Sequence, residues 1–228
     1  PEYIGSDEAR NYFVPVPYIT YNGPKLKVSQ SGITGKLFNS ERWFLSLSLS
    51  GAIPVDSDKN NARKGMSDLD AVFEYGPSLK YFFSGDDSSN NAFYFDFNFR
   101  EARTLSFDTL DISSSPAFVG RKKMEQQYWQ GNLSVFGQVR WEFVSNRYAD
   151  YFYGVEPQYQ TEQRAVYKAK GGYAGFRLSQ GLRWQKGNQV LSMFLAYADI
   201  TNASYAKSPL VKTDSHFYGG SAYFWLFS

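Results

Sequence analysis

The sequence contains no cysteine, which excludes disulfides, zinc–cysteine sites and thiol nucleophiles together. It contains no run of 18 apolar residues, so no segment reads as a transmembrane helix. Charge of one sign is also lacking: 24 Lys and Arg stand against 22 Asp and Glu, a formal net charge of +2. That balance argues against a basic nucleic-acid surface and against an acidic solvating tail. No phosphate loop, dinucleotide fingerprint or metal-ligand cluster occurs, and no cofactor is implied. The first residues, "PEYIGSDEAR", lack the basic start and apolar core of a signal peptide, so an exported protein is expected to be in mature or trimmed form. No linker or break in composition divides the chain, and a single domain over residues 1–228 is expected.

What is abundant is aromatic. Phe, Tyr and Trp make up 19% of the chain, yet the mean hydropathy is only −0.45. Both hold together if rings alternate with polar groups, and they do. In "AFYFDFNFR", Phe93, Phe95, Phe97 and Phe99 alternate with Tyr94, Asp96, Asn98 and Arg100. In "FLSLSLS", Leu45, Leu47 and Leu49 alternate with serines. The same period runs through residues 69–84, 128–145 and 171–186, where Asp70, Glu74, Lys80, Arg140, Glu142, Arg177 and Arg183 sit opposite apolar partners. Successive side chains of a strand point to opposite faces, so sustained alternation means strand. Ten strands are expected, at 12–22, 25–38, 41–53, 69–84, 90–103, 111–121, 128–145, 171–186, 190–202 and 215–227. No segment shows convincing helical periodicity. From the third strand onward, short polar connections alternate with longer ones at 54–68, 104–110, 146–170 and 203–214.

The pattern predicts an all-β antiparallel barrel, and its apolar faces must meet either a core or lipid. A ten-strand barrel is too narrow to hold large rings from every strand, although a soluble two-sheet sandwich would take them. Turned outward, the rings meet lipid, and Asp70, Glu74, Lys80, Asp96, Arg100, Arg140, Glu142, Arg177 and Arg183 fill the lumen as a network of both signs. Phe93, Phe95, Phe97, Phe99, Leu45, Leu47 and Leu49 then face lipid. Alternating short turns and long loops, with rings gathered near strand ends, fit a bacterial outer-membrane barrel. On that reading Phe95→Arg should hinder membrane folding far more than Asn98→Arg.

Several short pieces, in order along the chain, carry a resemblance: "PEYIGSDE" (1–8), "VPVPYITY" (14–21), "GMSDLDA" (65–71), "DYFYGV" (150–155), "SPL" (208–210) and "AYFWLF" (222–227). With these the sequence resembles the MltA-interacting protein (MipA)/OmpV family of Gram-negative outer-membrane proteins. The resemblance implies an outer-membrane barrel, in contact with lipid and lipopolysaccharide. It also implies a non-enzymatic scaffold linking a murein-cleaving lytic transglycosylase with a peptidoglycan synthase. Tyr223, Trp225 and Phe227 become the aromatic signal read by barrel-assembly machinery, although Ser228 follows where the family ends on the aromatic residue. The family also has a strand before "PEYIGSDE"; its loss here would force a twelfth strand, within 147–156.

Alternatives from other classes are a narrow pore for small solutes, a surface lipid-modifying enzyme, and a soluble β-sandwich or lectin-like binder. The enzyme would use His216, flanked by Asp214 and Ser215, but neighbours in a strand point apart. Asp56, Asp58, Asp68 and Asp70 lack the Gly and closing Glu of a calcium loop and read as a solvated loop. "GRKKMEQ" (120–126) reads as a periplasmic turn, and the tyrosines at 148, 151, 153 and 159 as an outer loop, in contact with carbohydrate or protein or folded back over the barrel mouth.

Overall fold

The computed structural model describes residues 1–11, 21–22, 26–29, 32–35, 40 and 42–225. Alternation becomes one antiparallel sheet in which every strand pairs with its neighbours in chain order. Three short strands come first: β1 (Tyr21–Asn22), β2 (Leu26–Ser29) and β3 (Gly32–Gly35). Eight long ones follow: β4 (Trp43–Ala52), β5 (Val72–Ser84), β6 (Ala92–Thr104), β7 (Thr109–Tyr128), β8 (Gly131–Val144), β9 (Gly172–Lys186), β10 (Gln189–Asp199) and β11 (Ser215–Trp225).

The strand count differs from the ten expected, because only these eight run long among the described residues. Of the strand expected at 12–22 only Tyr21 and Asn22 are described, and Phe227 lies outside the described residues; the single strand expected at 25–38 is instead two short strands, β2 and β3, paired antiparallel. Residues 147–156 supply no twelfth strand, since Asn146–Tyr153 form a helix, α1. Its signal is local. Ser145 caps it by accepting the Tyr148 N–H at 3.3 Å, and Ala149, Phe152 and Tyr153 bury at helical spacing. The "GRKKMEQ" stretch is not a turn either; Arg121, Lys122 and Lys123 lie within β7, and the chain reverses at Trp129–Gln130. Both turn residues have positive φ, 48° and 61°, a geometry usually given to Asn-Gly.

Pairing leaves its own marks. Pro77 has no N–H to donate, and the β5–β6 ladder skips from Tyr75↔Glu101 to Ser78↔Asn98 around it. Asp70 is not in the sheet: the chain first makes an isolated bridge between Val55 and Leu69, so Asp70 is exposed just before β5 begins.

Because neighbouring strands run antiparallel, the connections 53–71, 105–108, 145–171 and 200–214 all emerge at one end of the sheet, and the short turns at the other. Most of the buried apolar side chains gather at the long-connection end. Val55, Leu69, Ile200 and Leu210 are almost fully buried there, each worth about 1.5–3 kcal/mol. The long connections and the N-terminal residues thus form a packed cap. At the short-turn end a smaller inner cluster joins Phe44, Phe82, Tyr94 and Val119.

Candidate functional site

The two faces of the sheet differ as the alternation predicts. On one face Ser46, Glu74, Ser78, Lys80, Asn98, Arg100, Ser113, Ser115 and Ser179 are buried. On the other, Leu49, Phe93, Phe97, Phe99, Phe118, Leu178, Leu182, Met193 and Leu195 are exposed large apolar groups. Leu45, Leu47 and Phe95 share that outer face, half-buried among their neighbours. Tyr223 and Trp225 are exposed on the outer face of β11.

Rings on the outer face cluster at two levels. Near the short turns, Trp43 packs on Tyr81 (centroids 4.7 Å apart), Phe83 on Phe93 (5.2 Å) and Phe93 on Phe118 (6.1 Å). Near the cap, Phe73 lies beside Tyr75 (5.9 Å), Phe143 beside Tyr173 (5.7 Å) and Tyr197 beside Phe217 (4.8 Å). Phe93 to Glu101 on β6 spans the gap, roughly 27 Å along the strand at about 3.4 Å per residue.

The inner face lines two cavities. The upper one, about 340 Å³, is a half-open cavity between inner strand residues and the cap. Glu74 is the hub of its charge network. It accepts from Arg100 Nη1 at 3.2 Å, from Ser113 Oγ at 2.8 Å and from the Tyr148 hydroxyl of α1 at 2.8 Å. Burial, reinforced by the Glu74 carboxylate, raises the pKa of Tyr148 well above the usual phenol range, so it stays a donor. Arg100 also donates to Ser48 Oγ at 2.8 Å. Glu142 pairs with Arg177 at 3.2 Å, and the Arg177 guanidinium lies over the Tyr218 ring at 5.6 Å. The lower cavity, about 600 Å³, lies toward the short turns and is lined from β4 to β10. Lys80 reaches Asp87 there at 3.6 Å, and Asp96 accepts from Ser78 Oγ.

Of the nine charged candidates, eight lie on the inner face. Glu74, Lys80 and Arg100 are buried, and Asp96, Arg140, Glu142, Arg177 and Arg183 are half-buried. Asp70 is the exception: it is exposed on a cap loop, accepting from Ser106 Oγ at 2.7 Å. Arg121, read in sequence as part of a turn, belongs to the lower cavity. Strand alternation extended one turn further would have placed it there.

The cap is tied together by side chains on backbone groups. Arg63 donates to the Phe152 carbonyl at 3.1 Å and the Ser67 carbonyl at 3.2 Å, and Arg164 to the Ala62 carbonyl at 3.0 Å. Tyr153 stacks on Tyr205 with centroids 3.8 Å apart, and its hydroxyl donates to the Ile4 carbonyl at 2.8 Å. Of the loop tyrosines, 148 and 153 therefore fold back over the inner face; Tyr159 remains at the rim, hydrogen-bonded to Ser67 at 2.6 Å. His216 is buried and accepts the Gly5 N–H through Nε2 at 2.8 Å, which binds the N-terminal segment to β11. That use occupies the nitrogen a hydrolytic triad would need. The loop carboxylates are engaged separately: Asp56 with Lys59 at 2.7 Å, Asp68 with the Ser57 N–H at 2.7 Å, Asp58 with the Gly65 N–H at 3.4 Å.

Arg63→Ala should loosen the cap without unfolding the sheet. It removes the donor to the Phe152 carbonyl, at about 1–3 kcal/mol for a buried group left without a partner, while the Ser67 carbonyl keeps the Ser57 hydroxyl. Limited trypsin digestion should then cut at Lys59 or Lys64 several-fold faster, while the strand fragment stays intact.

A protein-family model described as MltA-interacting protein MipA matches residues 1–227. No curated protein and no solved structure matches the chain.

Proposed function

From the premise that the chain belongs to the MltA-interacting protein MipA family, we propose that it is a non-enzymatic β-barrel of the Gram-negative outer membrane. In this reading the single domain closes on itself, and its outer face meets lipid. It docks a lytic transglycosylase beside a peptidoglycan synthase. The observation that carries the membrane reading is the outer face, an apolar band between two levels of aromatic rings. Such a band, flanked by aromatic girdles, is the kind of surface that outer-membrane barrels present to lipid. A soluble sheet would leave this face as an exposed apolar patch far larger than monomers tolerate. Among the described residues no helix is long and apolar enough to cross a membrane.

Long loops lie outside in such barrels, which puts the cap toward lipopolysaccharide and the short turns toward the periplasm. The partner side is then the β7–β8 hairpin. Past Arg121, the last of its residues paired with β6 (opposite Ala92), β7 runs on to Tyr128 paired only with β8. Trp129 stands at the tip, 85% exposed, beside a strand carrying Lys122 and Lys123. An exposed ring on a turn of costly backbone geometry is a candidate anchor for a periplasmic protein.

Two measurements test the reading. Detergent-folded protein should migrate differently on a gel before and after boiling; a water-soluble monomer with no heat shift would remove the membrane assignment. Immobilised, folded protein should capture a purified lytic transglycosylase, and Trp129→Ala should weaken that capture at least tenfold. Absence of capture by the wild type leaves the barrel and removes the scaffold role.

A further inference from the structure

The N-terminal segment, residues 1–8, lies along the cap, and nearly all of its ties are to cap loops and α1. The Tyr3 hydroxyl donates to the Leu210 carbonyl at 2.8 Å, and Tyr153 of α1 donates to the Ile4 carbonyl. The Gly5 carbonyl accepts from the Lys212 and Thr213 N–H groups at 2.7 and 3.2 Å. Asn60 donates to Glu2 and to Ser6 Oγ at 2.7 and 3.1 Å. Among the described residues one hydrogen bond alone joins this segment to a strand of the sheet: the Gly5 N–H donates to Nε2 of His216 on β11. Gly5 presents that N–H from a backbone with φ 104°, a conformation that suits glycine. Glu2, Tyr3 and Ile4 line the upper cavity, so the segment is a strap along that cavity, and His216 fastens it to the sheet.

The chemistry of that fastening depends on pH. An imidazole accepts through Nε2 only while that nitrogen carries no proton. Protonation sets a second N–H against the Gly5 N–H, and an acceptor becomes a rival donor. His216 is the only histidine of the chain, the one side-chain type whose ordinary pKa lies between pH 5 and 8.

The surroundings offer an imidazolium no free counter-charge. In the strap, Glu2 is taken up by Arg10 and Asn60, the Glu8 carboxylate accepts the Asn61 N–H, and Asp7 is exposed. On β10, Ala198 stands opposite His216, and the neighbouring Asp199 accepts from the Tyr197 hydroxyl and the Thr201 N–H. Arg177, two strands away at the same register, is paired with Glu142. Lys212 and Asp214, on the connection before β11, are exposed. Burial, with the like-signed amino group of Pro1 adding to it, holds the pKa of His216 below the ordinary histidine value at the cap end of β11. A group whose pKa is depressed in the closed state keeps that state at full strength above about pH 6.5 and weakens it as pH falls through the depressed value.

We propose that His216 is an acid-released latch: in mildly acidic medium its protonation frees Gly5, and the N-terminal segment parts from β11 and opens the upper cavity on that side. The ties to Asn60, Leu210 and Tyr153 keep the released segment on the cap, so closure on return to neutral pH needs no refolding. The latch uses only the strap, the cap and β11, so a failed transglycosylase capture does not touch it.

Hydrogen exchange of the full folded chain tests this, read by mass spectrometry on the peptide spanning residues 1–8 and corrected for the intrinsic pH dependence of exchange. Wild-type protection of that peptide should fall about fivefold or more between neutral pH and about pH 5, starting near pH 6.5. Peptides from β5 to β9 should keep their protection, which certifies the sheet as folded in the same experiment. His216→Gln, whose amide oxygen accepts at every pH, should abolish the fall, and His216→Ala should give low protection throughout. Protection of the strap that does not change with pH in the wild type, or the same fall in His216→Gln, would overturn the proposal. Should the glutamine variant lose its sheet protection, the wild-type profile decides: a fall that starts only below about pH 5 belongs to carboxylates and overturns the latch equally.

Discussion

Phe97→Arg is expected to lower the free energy of folding into a bilayer by about 2–4 kcal/mol, the cost of a cation at mid-membrane on the lipid side of a barrel. Phe97→Leu is expected to lower it by less than about 1.5 kcal/mol, because volume falls but the group stays apolar. Phe97 is the informative position on β6. It lies midway between Phe93, in the ring cluster near the short turns, and Glu101, whose carboxylate accepts from the Tyr75 hydroxyl at the cap level at 2.9 Å. Its sheet neighbours, Leu79 and Pro116, share its outer face, and it is 42% exposed. Urea titrations in lipid vesicles, read by the heat-shifted band, measure both variants. Equal losses for Arg and Leu would mean that this face does not meet hydrocarbon.

The comparison expected from sequence set Phe95→Arg against Asn98→Arg as the much milder change, and the structure gives Asn98→Arg a cost of its own. Asn98 faces inward, but it is 1% exposed and its Oδ1 accepts from Ser115 Oγ at 2.6 Å. An arginine there would overpack a filled layer, at about 1–3 kcal/mol. Sequence shows which face a side chain is on; it does not show how full that face is at a given height.

The same division separates what was legible from what was not. Strands β4–β11 were legible because each has one apolar and one polar face, and period 2 needs no tertiary knowledge. Alternation failed where the reason for it ended. Beyond Arg121 the β7–β8 hairpin outruns the ladder with β6, and three consecutive cations, Arg121 to Lys123, break the alternation along the strand and read as a turn. At Asp70 the alternation begins by chance before the chain has entered β5. Helix α1 is eight residues long, and its buried face mixes alanine with aromatic rings, too little for a periodic signal. The inner charges were visible as a set. Their pairing was not, because it depends on register: Glu74 lies opposite Ala102, and Arg100 meets it from two residues along β6.

Glu74→Ala should be the most damaging single change to the interior, at about 3–5 kcal/mol, because it leaves a buried cation without its counter-charge. Glu74 and Arg100 have side chains only 8% and 6% exposed, and no other carboxylate pairs with Arg100 among the described residues. The loss reaches the cap as well, since the Tyr148 hydroxyl of α1 donates to the same carboxylate. Arg100→Ala should cost less, because Glu74 keeps the donors Ser113 and Tyr148. Replacing both by leucine removes the two charges together and should cost well under the sum of the single losses, as coupled groups do. A cycle of the two leucine single variants and their combination, measured by urea unfolding in micelles, reads that coupling directly. Strict additivity would mean that the two charges are solvated separately, with water inside the upper cavity doing what each now does for the other.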